Sequence, residues 1–237
     1  MKTAICYSGQ PRYFKECFDN HEQMLFSNLD DFDIFYHFWY DREAVESRSH
    51  MECDLPDASR GKWEDVLITE IQNKLNPQLC IYQKPLKYYA NNIFVNLPIH
   101  PNPDFYIPKN NIISMFYSIQ KSNLLKTIHE KEHNFIYDCV IRIRTDLFLT
   151  KPLAIKKEDL NAINLDKRPH TEYSLNDCIA YGSSELMDIY SNTIFNLIKC
   201  RDEGCIENSE CFLGWNLKNI NKNIKNIEYT LFREIKK

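Results

Sequence analysis

The sequence predicts a three-layer α/β domain with a largely parallel central sheet. The first observation behind this is an alternation of short apolar runs with longer segments of helical spacing, in the order β-α-β-α-β-α-β. The second is a chain of 237 residues with 43% hydrophobic and 13% aromatic residues, enough for a sizeable core. Neither internal repeat nor linker interrupts the pattern, so residues 1–237 are expected to form one domain.

Lys2 to Tyr7 reads as the first strand. Phe14, Cys17, Phe18, His21, Met24 and Leu25 then recur at helical spacing. Asp33 to Trp39 is a second strand, and polar Tyr40 to Arg60 a loop. Trp63 to Leu75 predicts a helix with Val66, Leu67, Ile71 and Leu75 on one side. Leu79 to Tyr82 is a third strand. Pro85 to Pro108 holds five prolines and should run over the surface. Asn110 to His133 is the longest helical pattern, with Ile113, Phe116, Tyr117, Ile119, Leu124 and Ile128 on its apolar side. Val140 to Leu149 reads as a buried strand carrying Arg142, Arg144 and Asp146 on one face. Asp177 to Tyr181 is a strand leading into a helix over Ser184 to Lys199. Glu210 to Leu217 reads as a helix, and Ile224 to Leu231 as a closing strand.

Several function classes are disfavoured. A net charge of −4 argues against nucleic-acid binding through general positive charge. No apolar run reaches the length of a transmembrane segment. The N-terminus turns polar too soon for a signal peptide and reads as a strand. Nine cysteines without paired metal-ligand spacing fit buried reduced thiols and a cytoplasmic location. With only five glycines, the chain has neither the G-x-G-x-x-G dinucleotide fingerprint nor a P-loop.

The candidate chemistry lies at strand ends. Ser8, Gly9, Gln10, Pro11 and Arg12 form the turn from the first strand into the first helix. Gly9 permits close backbone approach, Pro11 suits a helix start, and Arg12 can meet a phosphate there. His37 shares a parity with Trp39 at the end of the second strand. Arg142, Arg144 and Asp146 are costly in an apolar strand unless paired or holding a ligand. Asp177 begins a strand that ends at Gly182, while Glu207 and Glu210 precede or open a helix. Either an acid near 207–210 or Asp177 is a candidate general base. His129, Glu130 and His133 match H-E-x-x-H, a zinc-peptidase signature. Charged Lys131 and Glu132 inside that motif favour a solvated helix end instead.

Taken together, Ser8 to Arg12, Asp33 to Trp39, Ser114 to Ser118 with Lys121, Arg142 to Asp146, Asp177 to Ser183 and a Glu-containing segment before the last strand resemble a family of small GT-A-type glycosyltransferases. That family occurs in bacterial surface-polysaccharide clusters, large DNA viruses and phages. The resemblance implies a GT-A-like α/β/α fold, a nucleotide-sugar donor, and a glycan or other hydroxyl acceptor. It implies donor contacts from Ser8, Gly9, Gln10, Arg12, His37, Ser114, Lys121, Arg142, Arg144 and Asp146. It also implies Mn²⁺ or Mg²⁺ at Asp146, although Arg144-Thr145-Asp146 stands where such enzymes usually carry Asp-x-Asp. Arg142, Arg144 or Lys121 is the alternative source of positive charge for the diphosphate. A non-catalytic sugar-nucleotide or glycan-binding module with the same fold is the alternative function, and a zinc peptidase the third.

Overall fold

The computed structural model describes residues 1–40, 65–84, 86, 109–167, 173–225 and 227–231. The loops expected over 40–60 and 85–108 lie outside the described residues, apart from Tyr40 and Leu86.

The first half of the chain follows the expected order. Strand β1 (Lys2–Gly9) precedes helix α1 (Phe14–Met24), strand β2 (Asp31–Trp39), helix α2 (Asp65–Leu75) and strand β3 (Leu79–Gln83). The long helix α3 (Lys109–His133) leads into β4 (Cys139–Ile143). β1 pairs in parallel with β2 and β4, and β2 with β3. Successive strands therefore build outward from β1 on one side, and the chain then returns to pair β4 on its other side.

The second half departs from expectation in three places. The run expected as a single strand over Val140 to Leu149 is two strands, because β4 ends at Ile143 and β5 (Leu147–Leu149) joins a different sheet. Strand β6 (Ile163–Lys167) was not legible in the sequence. Its buried Asn164 bonds the carbonyls of Asp159 at 2.8 Å and Ala162 at 3.0 Å, a polar role that hides the strand pattern. The closing run splits into β8 (Lys222–Ile224) and β9 (Tyr229–Leu231), which serve separate sheets.

β7 (Leu175–Gly182) runs antiparallel to both β4 and β6, and β8 runs parallel to β6. The main sheet thus has seven strands in the order β3-β2-β1-β4-β7-β6-β8, with only β7 reversed. β5 and β9 form a two-stranded ribbon. The helix expected over 184–199 is α4 (Ser184–Ser191), a 3₁₀ turn (Asn192–Asn196) and α5 (Leu197–Asp202); α6 (Ser209–Asn216) follows.

Alternation along β1 assigns the two faces. Ala4 and Cys6 pack with Phe116 and Ile119 of α3, Met187 of α4 and Phe212 of α6. Ile5 and Tyr7 pack with Phe14 and Phe18 of α1 and Ile71 and Leu75 of α2. Helices on both faces make this a mostly parallel, three-layer α/β/α arrangement. α6 approaches so closely that a Cβ on Gly214 would lie 1.6 Å from the Tyr173 carbonyl oxygen.

Buried polar groups tie the layers together. On the α3 side, Lys126 is fully buried and reaches Ser184 Oγ at 2.5 Å, Asp188 Oδ1 at 2.9 Å and Glu130 Oε2 at 3.1 Å. Glu130 also accepts from Tyr137 N and Ser184 Oγ. On the α1 side, Asn20 acts as an extra strand partner for β5. It donates to Leu149 O at 2.9 Å and accepts from Leu149 N at 2.8 Å. His21 bridges Tyr7 Oη at 2.8 Å and Leu147 O at 2.7 Å. A carbonyl only accepts, so Nε2 carries the proton and Nδ1 accepts from Tyr7.

Burial pushes the His21 pKa down to about 4, despite opposing help from the Leu147 carbonyl and Asp146. The unfolded chain therefore binds the proton first as pH falls below the ordinary histidine value of about 6.5. The stabilising contribution is present above that value and is lost as pH falls towards 4. Denaturant titration should show stability dropping between pH 7 and pH 4.5, with His21 contributing up to about 3 kcal/mol. A His21→Gln variant should be less stable at pH 7 but show a shallower pH slope.

Candidate functional site

The strand order reverses between β1 and β4. Ligands of open α/β sheets usually bind at such a reversal. Ser8 and Gly9 end β1, His37 and Trp39 end β2, and Arg142 stands next to last in β4. Ser8 and His37 share the α3-facing parity of Cys6 and Phe35, and Arg142 shares that of Val140.

Ser118 of α3 joins these ends. Its hydroxyl accepts from Gly9 N at 2.7 Å and lies 2.9 Å from both the His37 carbonyl and His37 Nδ1. Gly9 has φ +105°, a backbone region that L side chains rarely adopt. The glycine thus lets β1 turn so that its N–H meets α3. His37 Nε2 lies 3.1 Å from Gln83 Oε1, which extends the chain of contacts to β3. Burial pushes the His37 pKa down to about 4, with hydrogen bonds opposing and Lys121 assisting. The ring is therefore neutral at pH 7 and brings no cation to the reversal.

α3 runs back along the sheet, so its first turns meet the carboxyl edge. Ser114 O accepts from Trp39 Nε1 at 3.2 Å, so its backbone braces the tryptophan. Lys121 sits two turns further, with Nζ 5.2 Å from the Tyr117 ring centroid. Tyr117 in turn stacks on Trp39, at 5.4 Å between ring centroids.

The guanidinium of Arg142 is almost wholly buried, with 2% exposure. Its Nε donates to Ser8 Oγ at 3.3 Å, whereas Nη1 has no hydrogen-bond partner among the described residues. The Tyr190 hydroxyl, on α4, is likewise buried without one. Burial raises the Tyr190 pKa, Arg142 acts against that shift, and Asp177 and Cys178 add to it. Arg142, Tyr190 and Asp177 therefore share one electrostatic neighbourhood.

Arg144 and Asp146 do not share the face of Arg142, because the strand stops before them. Arg144, Thr145 and Asp146 form the turn between β4 and β5. Arg144 donates Nε to Asp146 Oδ1 at 2.7 Å and Nη2 to Oδ2 at 2.6 Å. Thr145 Oγ1 reaches the Gln10 carbonyl at 3.2 Å, fixing this turn to the one after β1. Burial opposes the Arg144 charge, but Asp146, the Cys178 thiol and Asp177 raise its pKa well above the usual value.

The expected divalent metal does not fit this donor set. Both Asp146 oxygens already accept from a guanidinium. Among the described residues, no group of three or more His, Cys, Asp or Glu side chains can hold a metal ion. The Cys200, Cys205 and Cys211 cluster is included in that statement, and all three are buried free thiols.

Arg12 donates Nε to Gln10 Oε1 at 2.7 Å within its own turn. Asp33 lies at the opposite end of β2, where Tyr137 Oη and Gln78 Nε2 donate to it. Asp177, the third residue of β7, lies near the end of β4 and is buried, with the Cys178 thiol 3.7 Å from Oδ1. Glu207 lies in the bend before α6, where it acts on Cys205, and Glu210 lies in the helix's first turn. In the H-E-x-x-H segment, Glu130 turns inward to Lys126 and Ser184. His129 Nδ1 faces Tyr137 Oη at 2.9 Å. That contact leaves the motif as packing, not zinc chemistry.

A separate cavity of about 400 Å³ lies against the β5–β9 ribbon. Lys151, Lys156, Lys225, Asp159, Tyr181 and Glu228 contribute to its wall, and none of them was a sequence candidate. Lys225 pairs with Asp159 and Lys151 with Glu228, both at 2.7 Å, so much of that charge is internally balanced.

Ser118, Gln83 and Tyr190 were missed by sequence reasoning as individual site residues. Ser118 left a faint signal, a second serine one helical turn after Ser114. Tyr190 left none, since an aromatic at helical spacing ordinarily reads as core.

No protein-family pattern matches the chain, and no characterised protein matches it.

Removing the Ser118 hydroxyl leaves the Gly9 N–H without its acceptor. Ser118→Ala should lower stability by about 1–3 kcal/mol, measured by chemical denaturation. A variant as stable as the parent would show that water replaces the hydroxyl.

Proposed function

We propose that the chain is a GT-A-like glycosyltransferase that moves a sugar from a nucleotide-sugar donor to a glycan or other hydroxyl acceptor. The observation that carries this reading is the convergence of Ser8, Gly9, His37 and buried Arg142 at the reversal of strand order. Ser8, Gln10 and Arg12 line the turn where a nucleotide would meet the first strand and helix. Arg142 offers a guanidinium to an anion on the same side as Ser8.

Asp177 is the best-placed general base. It is a carboxylate beside the two arginines, close to the end of β4. In an inverting reaction it takes the acceptor hydroxyl proton as the oxygen attacks the anomeric carbon. The bond from that carbon to the phosphate oxygen breaks, and the nucleoside diphosphate leaves with the bonding electrons. Glu207 and Glu210 are the less direct candidates, because they belong to the α5–α6 side.

The pairing of Asp146 with Arg144 favours one other reading, a binding module with the same fold that performs no transfer. A thermal-shift panel of nucleotide sugars and nucleoside diphosphates tests both. A matching ligand at a hundredfold excess over its Kd should raise the melting temperature by about 5–10 °C. Binding with neither transfer nor donor hydrolysis would establish the module, and no binding at all would remove both readings. Asp177→Asn should cut turnover by about 10²–10⁴-fold while leaving the donor Kd within about twofold. Equal losses in binding and turnover would instead make Asp177 a ligand-binding group.

A further inference from the structure

We infer that Arg142 itself neutralises the donor diphosphate, and that Asp146 is a positioning residue for Arg144, so donor binding requires no divalent cation. The inference rests on the nucleotide-sugar reading and specifies how that site handles charge.

Three observations carry it. Arg142 is 2% exposed, and only Nε has a protein partner described, Ser8 Oγ. Nη1 is buried without a hydrogen-bond partner among the described residues. A buried guanidinium with an unpaired N–H is destabilising, so an apolar residue of similar length would serve the fold as well or better. Keeping it there is explained by a ligand that supplies the missing acceptor. Phosphate oxygens suit a guanidinium in charge and in geometry.

The second observation is the position of that N–H donor. Arg142 pairs across β4 to Cys6 of β1 on one side and Ala180 of β7 on the other. It therefore lies at the β1–β4 reversal, directly linked to the Ser8 hydroxyl. The Tyr190 hydroxyl, also buried without a partner, stands in the same neighbourhood as a second group able to donate to an oxyanion.

The third concerns Asp146. Two parallel N–H···O bonds from Arg144 occupy its two oxygens. The pair is 23% and 4% exposed, so it is largely shielded from solvent. A cation approaching Asp146 would compete with a bidentate guanidinium for the same carboxylate charge. The pair instead shapes the β4–β5 turn, which Thr145 ties to the Gln10 carbonyl beside the proposed nucleotide.

In the transfer step, the carbon–oxygen bond to the diphosphate breaks and the acceptor oxygen forms the new bond. The acceptor proton passes to Asp177. The charge that develops on the departing β-phosphate is met by Arg142, so the balance needs no further reactant.

The test uses the full chain with inorganic pyrophosphate and a panel of nucleoside diphosphates, followed by calorimetry and melting curves. The wild-type Kd for the preferred nucleotide should agree within about twofold in EDTA and in Mn²⁺ or Mg²⁺. Arg142→Met should weaken that binding by about tenfold to a hundredfold while the ligand-free melting temperature holds or rises. Arg142→Lys should recover part of the affinity. Asp146→Asn should lower the melting temperature but leave the comparison between EDTA and Mn²⁺ unchanged. Binding that vanishes in EDTA and returns with Mn²⁺ overturns the inference and leaves the glycosyltransferase reading standing. A fall in the melting temperature of Arg142→Met with unchanged affinity also overturns it, by making Arg142 structural. Failure of every nucleotide to bind, with and without metal, overturns the glycosyltransferase reading itself. If Arg142→Met does not fold, the wild-type comparison of EDTA with Mn²⁺ alone decides the question.

Discussion

The carboxyl edge of the sheet depends on one hydroxyl, that of Ser118. A buried backbone N–H needs an acceptor, and the positive φ of Gly9 turns its N–H away from the sheet ladder towards α3. Ser118 receives it at 2.7 Å and touches His37 at the same time. One side chain thus fixes the turn after β1, the end of β2 and the register of a 25-residue helix. This edge keeps its shape because it is hydrogen-bonded to the layer behind it.

The same economy appears deeper in the molecule, where the layers are joined by polar groups whose partners are complete. Lys126 carries a charge in a fully buried position, which is tolerable because Glu130, Asp188 and Ser184 surround the ammonium. On the opposite face, Asn20 and His21 bind the backbone of β5 and hold the short ribbon against α1. Beside these networks, Arg142 Nη1 and the Tyr190 hydroxyl are buried without a hydrogen-bond partner among the described residues. In the proposed reading, the ligand supplies the acceptor that this buried guanidinium lacks.

The break between β4 and β5 governs what the acidic residue can do. Residues 140–149 have the composition of one continuous strand, and on a continuous strand Asp146 would share a face with Arg142. Arg144 instead closes on Asp146 across the turn, and β5 departs to pair with β9. The two arginines thereby acquire different work. Arg142 stays inside the sheet beside Ser8, while Arg144 is spent on holding an acid.

Much of the α/β architecture was determined by the sequence itself. Periodicities of two and near 3.6 located β1, β2, β3, α1 and α3, since each buries one regular face or a continuous apolar run. The turn at Gly9, the strand-end positions of Ser8 and His37 and the strand parity of Arg142 were readable too, because parity and the β-to-α junction are local properties. Tertiary structure alone decided the rest. β6 and β8 are short segments with polar residues, stabilised by pairing partners far away in the chain. Local periodicity carries no record of such pairing. The reversal of β7 and the inward turn of Glu130 likewise follow from which surfaces meet. Asp146 is the clearest case. Its sequence neighbours suggested a metal ligand, and a hydrogen-bonded guanidinium two residues away, brought round by the end of a strand, gave it another partner.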